Sequence, residues 1–291
     1  MLALGVIAFL SPGVVRAAGT AIPHGTLELI AESQSIAPGH KFYVALRFQL
    51  EKGWHVYWVN PGDSGEPPRV KWQLPAGLTA GTVEWPTPRR LGTSSIVDFG
   101  YEDAVMLIVP MTAGASLTSQ QSAQIGAEVK VLVCREMCIP GKAQITLALP
   151  IKTQAPLPDA QTRDLFAAAR KSLPQRSPAS WRFSAFEAKD SFTFTANLGR
   201  QITQAIFFPL NESQIDDPAP QKVEPTAAGF RLTLRKSNQL LKPIDRLQGV
   251  LVLSGDRSYS IDVPITKGGV AGTADGMGIF LAKSQTEEPR Q

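Results

Sequence analysis

The chain has 291 residues and two cysteines, Cys134 and Cys138, both within the stretch VLVCREMCIPG, residues 131–141. A Cys-x-x-x-Cys pair has three chemical uses: a structural staple, a clamp for a soft metal, or a dithiol that exchanges electrons. A disulfide needs its Cα atoms within about 4.4–6.8 Å. An extended strand from one cysteine to the other would span roughly 13 Å, at about 3.3 Å per residue. The chain must therefore turn between them if they are to bridge. Closing so small a loop constrains the unfolded chain little, about 2 kcal/mol in the chain-entropy account. A chain with a core of this size does not depend on such a bond. A weak staple at a loop tip is well placed to be opened and closed, so redox exchange is the leading reading and a structural staple the second. Arg135 would favour a thiolate and Glu136 would oppose it, which leaves open which sulfur is attacked first.

Other chemistry finds little to work with. Cys134, Met137 and Cys138 offer three soft sulfurs, a set that suits copper(I). The three histidines, His24, His40 and His55, lie far from the cysteines in sequence, and no four-ligand zinc pattern is present. There is no glycine-rich phosphate loop and no Gly-x-Ser-x-Gly elbow. The net charge is +4 without a basic run, which argues against nucleic acid as a partner.

The elements that must position the pair are strands. The sequence is 43% hydrophobic and 19% charged, with 23 prolines and 24 glycines between short apolar runs, a composition that suits an all-β protein with many turns. Phe42, Val44, Leu46, Phe48 and Leu50 alternate with other residues, as a half-buried strand requires. Val56 and Trp58, then residues 70–74, continue the pattern, and residues 105–109 read as a strand buried on both faces. Ile125, Ala127, Val129, Val131 and Val133 alternate before the cysteines; Ala143, Ile145, Leu147 and Leu149 alternate after them. These two runs predict an antiparallel hairpin whose connection carries Cys134 and Cys138.

The expected organisation is two immunoglobulin-like β-sandwich domains joined by a short helical linker. A signal peptide occupies residues 1–17, from the apolar run and the small-residue exit at Ala17, although no Lys or Arg precedes that run. The redox sandwich spans 24–152. The linker, 153–180, carries a helix that Asp159 could cap and that runs to Arg170 or Leu173, with Leu165, Phe166 and Ala169 on one side. The second sandwich spans 181–266 and contains no cysteine or histidine, so a structural or docking role is its default. Residues 267–291 read as a flexible tail. No segment after the signal reaches the ~20 apolar residues of a membrane span. Export would place the cysteines in an oxidising compartment, where they meet as a disulfide.

Around the pair, Asp98, Tyr101, Arg135 and Glu136 are the candidate surround, able to tune the thiols if the fold brings them near. Trp54, Tyr57 and Trp58 read as core or rim aromatics, some of which could flank the active site, and His55 reads as a surface histidine. Residues 60–65 read as a turn-rich connector that could shield the cysteines.

Four separated segments, GWHVYWVNPGDSGEPP (53–68), VEWPTPRR (83–90), VDFGYED (97–103) and VLVCREMCIPG, resemble the N-terminal periplasmic region of DsbD-like thiol:disulfide interchange proteins, in the suppressor-of-copper-sensitivity protein B (ScsB) branch. The resemblance implies an immunoglobulin-like sandwich whose redox-active pair is Cys134 and Cys138. It also implies a periplasmic component of a thiol-disulfide oxidoreductase, or protein-disulfide reductase, system with a link to copper tolerance. Its electrons would come from a membrane-embedded thiol donor and pass to exported thioredoxin-fold or peroxidase partners, with no cofactor beyond the reversible disulfide. The spacing is narrower than in the better-known DsbD N-terminal domain, so that domain's cap loop does not carry over. Family members continue into a multi-span membrane domain and a thioredoxin-like domain. The expectation is therefore either a piece of such a protein or a stand-alone chain fed by a separate membrane partner.

Overall fold

The computed structural model describes residues 19–92, 95–115, 117, 122–254 and 257–267. The expected signal peptide and, from residue 268 onward, the expected tail lie outside the described residues. The first part of the chain forms β1 (Thr20–Ile22), β2 (Gly25–Ala31), β3 (Lys41–Leu50), β4 (His55–Gly62), β5 (Arg69–Gln73), β6 (Leu78–Ala80), β7 (Arg89–Gly92), β8 (Val97–Glu102), β9 (Ala104–Ala113), β10 (Ser122–Cys134) and β11 (Cys138–Pro150). One sheet runs β1-β2-β3-β9-β6 and a second runs β11-β10-β4-β8-β7, with β5 paired to β10.

Alternation decides what each strand buries. Phe42, Val44, Leu46 and Phe48 of β3 meet Val56 and Trp58 of β4 and the alternating apolar residues of β10 and β11 in one cluster between the sheets. Successive side chains on a strand leave opposite faces, so His55 and Tyr57 of β4 lie on the outward face of their sheet. The double burial expected for residues 105–109 has a visible cause. Leu107 and Val109 enter the core, while Ile108 faces away and is covered by Phe166 and Ala169 of helix α1 (Arg163–Lys171).

The helix starts later than the sequence suggests. Asp159 does not cap it: its carboxylate accepts from the Gln161 N–H, and its carbonyl accepts from the N–H groups of Thr162 and Arg163. These bonds close a turn ahead of the helix. Thr162 holds the N-cap position without capping through its side chain, because its hydroxyl donates 2.7 Å to the Ala31 carbonyl. Arg170 pairs with Glu32 and lies 4.8 Å over the Tyr43 ring. The segment expected to be a spacer is thus docked on the outer face of the first sheet.

The chain then forms β12 (Gln175–Arg176), β13 (Arg182–Glu187), β14 (Ser191–Asn197), β15 (Ala205–Pro209), β16 (Lys222–Thr226), β17 (Gly229–Arg235), β18 (Arg246–Leu253) and β19 (Arg257–Lys267), ordered β15-β18-β19-β13-β14-β17-β16 with β12 paired to β19. Phe192, Phe194, Phe207, Phe230 and Leu251 centre a second apolar cluster. Phe208 and Val250 belong instead to the first cluster. The Phe208 ring meets Trp58 edge-on at 6.4 Å and Phe99 at 5.1 Å, pairs each worth about 0.5–1.5 kcal/mol beyond burial.

Polar groups cross the same junction. Arg90 donates 2.7 Å to the Asp217 carbonyl, while Asp217 Oδ1 is buried with no hydrogen-bond partner among the described residues. Burial, reinforced by Asp63 across the junction, pushes the Asp217 carboxyl up to about 7, against the pull of Arg90. A carboxyl that holds its proton more tightly folded than unfolded stabilises the fold fully below about pH 4, its unfolded pKa. That stabilisation is lost as pH rises toward about 7. Asp217→Asn is therefore expected to melt higher than the parent at about pH 8 and at the same temperature near pH 4. Thermal melts across that range check this; equal melting temperatures at both ends would mean that the junction does not feel Asp217.

Candidate redox site

The hairpin expected from the flanking runs is present. Strands β10 and β11 pair in register from Ser122↔Pro150 to Cys134↔Cys138, so the cysteines are the last rung. Arg135, Glu136 and Met137 make the turn, closed by the Arg135 N–H donating 3.2 Å to the Met137 carbonyl. The turn brings the two Cα atoms to 4.1 Å, and the sulfurs are bonded to each other. Val133 points into the core, so Cys134 points outward. The two cysteines nevertheless differ sharply. Cys134, flanked by β11 and β4, is 2% exposed, whereas Cys138, on the last strand of the sheet order, is exposed.

Register carries the row onward. Cys134 lies opposite His55 of β4, and His55 lies opposite Glu102 of β8. Directly opposed residues send their side chains to the same face. Two residues along β4, the Tyr57 hydroxyl stands 3.5 Å from Cys138 Sγ, and its ring meets the His55 imidazole edge-on at 5.2 Å. Tyr57 is 1% exposed despite its outward position, because residues 63–65, just past the end of β4, fold back over it; residues 60–62, expected in the connector, still belong to β4. Gly65 has φ +84°, and a Cβ there would sit 2.1 Å from Tyr57 Cζ, so only glycine fits.

Asp98 anchors that covering loop: its carboxylate accepts from the Ser64 N–H at 3.1 Å and the Ser64 hydroxyl at 2.8 Å. Burial raises the Asp98 carboxyl, and the bonds from Ser64 partly offset the rise. Burial, with Asp98 nearby, pushes the Tyr57 phenol up to about 12. Tyr57 therefore remains protonated and can donate to a Cys138 thiolate. His55 is held below its ordinary value by burial, against the opposing pull of Asp98 and Glu102.

Of the four surround residues expected from sequence, Asp98 joins the cluster through Ser64, Tyr57 and His55. Tyr101 does not: it faces the core and its hydroxyl donates 2.7 Å to the Pro86 carbonyl. Arg135 leaves the sulfurs and lies 5.1 Å over the Trp54 ring, which stacks on His24 at 3.6 Å. Glu136 is exposed at the tip. His55, expected at the surface, is 8% exposed: it lies between Cys134 and Glu102 in the row of opposed residues, with the Tyr57 ring edge-on against it. Sequence reading reaches Tyr57 only as one of three aromatics that could flank the site, and Ser64 only as part of a loop that could shield the cysteines; neither is singled out. Alternation on β4 could have found Tyr57, since Trp54, Val56 and Trp58 claim the inward face; nothing local marks Ser64.

Residues 26–150 match the profile of the family described as thiol:disulfide interchange protein DsbD, N-terminal. The match falls on the segment whose motifs resemble that family. Among solved structures, the N-terminal periplasmic domain of ScsB from Proteus mirabilis aligns over 84% of this chain and 94% of its own, at 17% identity and a TM-score of 0.63. At that identity the likeness is one of fold. The periplasmic chaperone SfaE, at 7% identity, aligns over 82% of this chain and 100% of its own with a TM-score of only 0.19. The Bacillus cereus pilin subunit BcpA, at 9% identity, aligns over 84% and 68% with a TM-score of 0.23. No curated protein sequence matches.

Proposed function

We propose that the chain relays reducing equivalents by thiol–disulfide exchange through Cys134 and Cys138. The observation that carries this reading is the asymmetry of the pair: an exposed Cys138 bonded to a buried Cys134 at a hairpin tip, with a phenol hydroxyl against the exposed sulfur. In the reduced protein the Cys138 thiolate attacks a partner disulfide and forms a mixed disulfide. Cys134 then attacks Cys138 Sγ, closing the internal bond and releasing the partner reduced. A donor thiolate attacking Cys138 reverses the cycle and restores the dithiol.

The DsbD-like segment supports thiol-redox partners in general. The finer assignments follow the ScsB resemblance: a periplasmic location after export, a membrane-embedded thiol donor, thioredoxin-fold or peroxidase acceptors, and a contribution to copper tolerance by reducing cysteines that copper has oxidised. Among the described residues no helix is long and apolar enough to cross a membrane, so the donor is taken to be a separate domain or protein. The two apolar clusters support reading residues 24–152 and 181–266 as two immunoglobulin-like sandwiches, with 153–180 as the linker between them. Copper(I) capture by Cys134, Met137 and Cys138 gains no support from the geometry, since Met137 is 67% exposed at the turn and nothing directs it back to the sulfurs.

The test is the reduction potential of the pair, measured by equilibration against glutathione or dithiothreitol buffers. A value above about −300 mV is expected of an exchanging disulfide; a value well below it identifies an inert staple and ends this reading.

A further inference from the structure

His55 has no role in the cycle as described, yet its placement is unusual. It stands directly opposite Cys134 across β4 and β10, on the same face of the sheet, where opposed Cβ atoms lie about 4.5–5.5 Å apart. It is 8% exposed, and its Nε2 is buried with no hydrogen-bond partner among the described residues. An orphaned imidazole nitrogen in a protein interior calls for an explanation, because buried polar atoms are nearly always paired.

The exchange cycle creates a matching need. After Cys138 has formed a mixed disulfide, Cys134 must resolve it. A buried thiol is a poor nucleophile until it loses its proton, and at 2% exposure Cys134 has little water to take it. We propose that His55 is the proton acceptor for Cys134, generating the resolving thiolate. The inference rests on the exchange reading above.

The step balances. The Cys134 S–H proton passes to His55 Nε2. The Cys134 thiolate then attacks Cys138 Sγ, and the Cys134–Cys138 bond forms as the bond from Cys138 to the partner sulfur breaks. The partner leaves as a thiolate carrying the electron pair. The imidazolium afterwards gives up its proton to solvent or to the departing thiolate.

The groups facing His55 fit this assignment. Burial keeps the ring neutral and able to accept at neutral pH, while Asp98 and Glu102 both favour the imidazolium once it forms. The Tyr57 ring meets the imidazole edge-on and stays uncharged. Tyr57 addresses Cys138 and His55 addresses Cys134, so each sulfur has its own proton partner.

The experiment uses the reduced full chain and the aromatic disulfide 5,5′-dithiobis(2-nitrobenzoate) in a stopped-flow instrument. The first coloured thiolate reports attack by Cys138 and depends on reagent concentration. The second reports resolution by Cys134 and does not. In the parent protein the second phase is expected to be nearly flat from about pH 6.5 to 8, because a neutral acceptor is already in place. In His55→Phe that phase should slow at pH 7 by roughly 10²-fold, a usual size for general-base assistance, and then rise about tenfold per pH unit. The first phase should change little. His55→Gln, which accepts a hydrogen bond but not a proton, should behave like His55→Phe.

A parent second phase that itself climbs tenfold per unit over this range would overturn the proposal, even if neither variant folds. So would folded variants whose second phase matches the parent. Failure of the exchange reading looks different: the parent would then lack the second, concentration-independent release altogether.

Discussion

Cys134→Ser is expected to accumulate a stable mixed disulfide with thioredoxin-fold proteins, whereas Cys138→Ser accumulates none. The asymmetry follows from burial. Cys138 is exposed and has the Tyr57 hydroxyl 3.5 Å away to stabilise its thiolate, so it can meet a partner sulfur. Cys134 is 2% exposed and can reach only Cys138. Removing Cys134 leaves the entry sulfur intact and deletes the resolving one. The adduct should then persist on the order of 10³-fold longer or more, because a neighbouring thiol acts at an effective concentration that free thiol cannot match. Non-reducing electrophoresis with mass spectrometry of the adduct reads this directly. Equal trapping by the two variants, or trapping by Cys138→Ser alone, would show that the order of attack has been assigned to the wrong sulfur.

The second large effect concerns Asn60, which is fully buried. Its amide donates to the Pro209 carbonyl at 2.8 Å and to the Asn211 carbonyl at 3.3 Å, and its oxygen accepts from the Gly62 N–H at 3.0 Å. One side chain therefore ties the start of the loop over Tyr57 to the C-terminal strands. Asn60→Ala strips partners from three backbone groups at once. Leaving buried polar groups unpaired costs about 1–3 kcal/mol each. Some will find water, so a total of about 2–4 kcal/mol is expected. That corresponds to a fall in melting temperature on the order of 5–10 °C for a chain of this size.

Because the same loop seats Gly65 against Tyr57, the variant should also shift the reduction potential. Phe208→Ala, which opens the junction without touching the loop, should destabilise comparably and leave the potential nearer its parent value. A change in Asn60→Ala within about 0.5 kcal/mol would place it among ordinary surface substitutions and remove its role as a tie.

The position of this residue also marks where sequence reading reaches its limit. Asn60, Pro61 and Gly62 look like a turn, and their composition says no more than that. Their importance comes from the pairing of Asn60 with carbonyls 149 and 151 residues away, and no local pattern encodes a partner at that distance. The helix shows the same limit on a smaller scale. Its apolar face, Phe166 and Ala169, was legible, but its start was not, because the Thr162 hydroxyl is drawn to Ala31 on the neighbouring strand. His55 was misplaced for a related reason. Alternation correctly places it on the outward face of β4, but an outward residue need not be exposed.

The strands, the hairpin and the pairing of Cys134 with Cys138 were set by the sequence itself, because period-two alternation, turn residues and a four-residue cysteine separation are local constraints. The unequal exposure of the two sulfurs, the phenol beside one and the buried imidazole opposite the other were decided only by tertiary structure. The sulfurs differ because Cys134 lies between β11 and β4 while Cys138 lies on the last strand, and Tyr57 is covered by a loop held by Ser64 and Asp98 from one side and by the C-terminal strands from the other. Burial of an outward face is a property of what folds over it, and the strand's own residues do not record that.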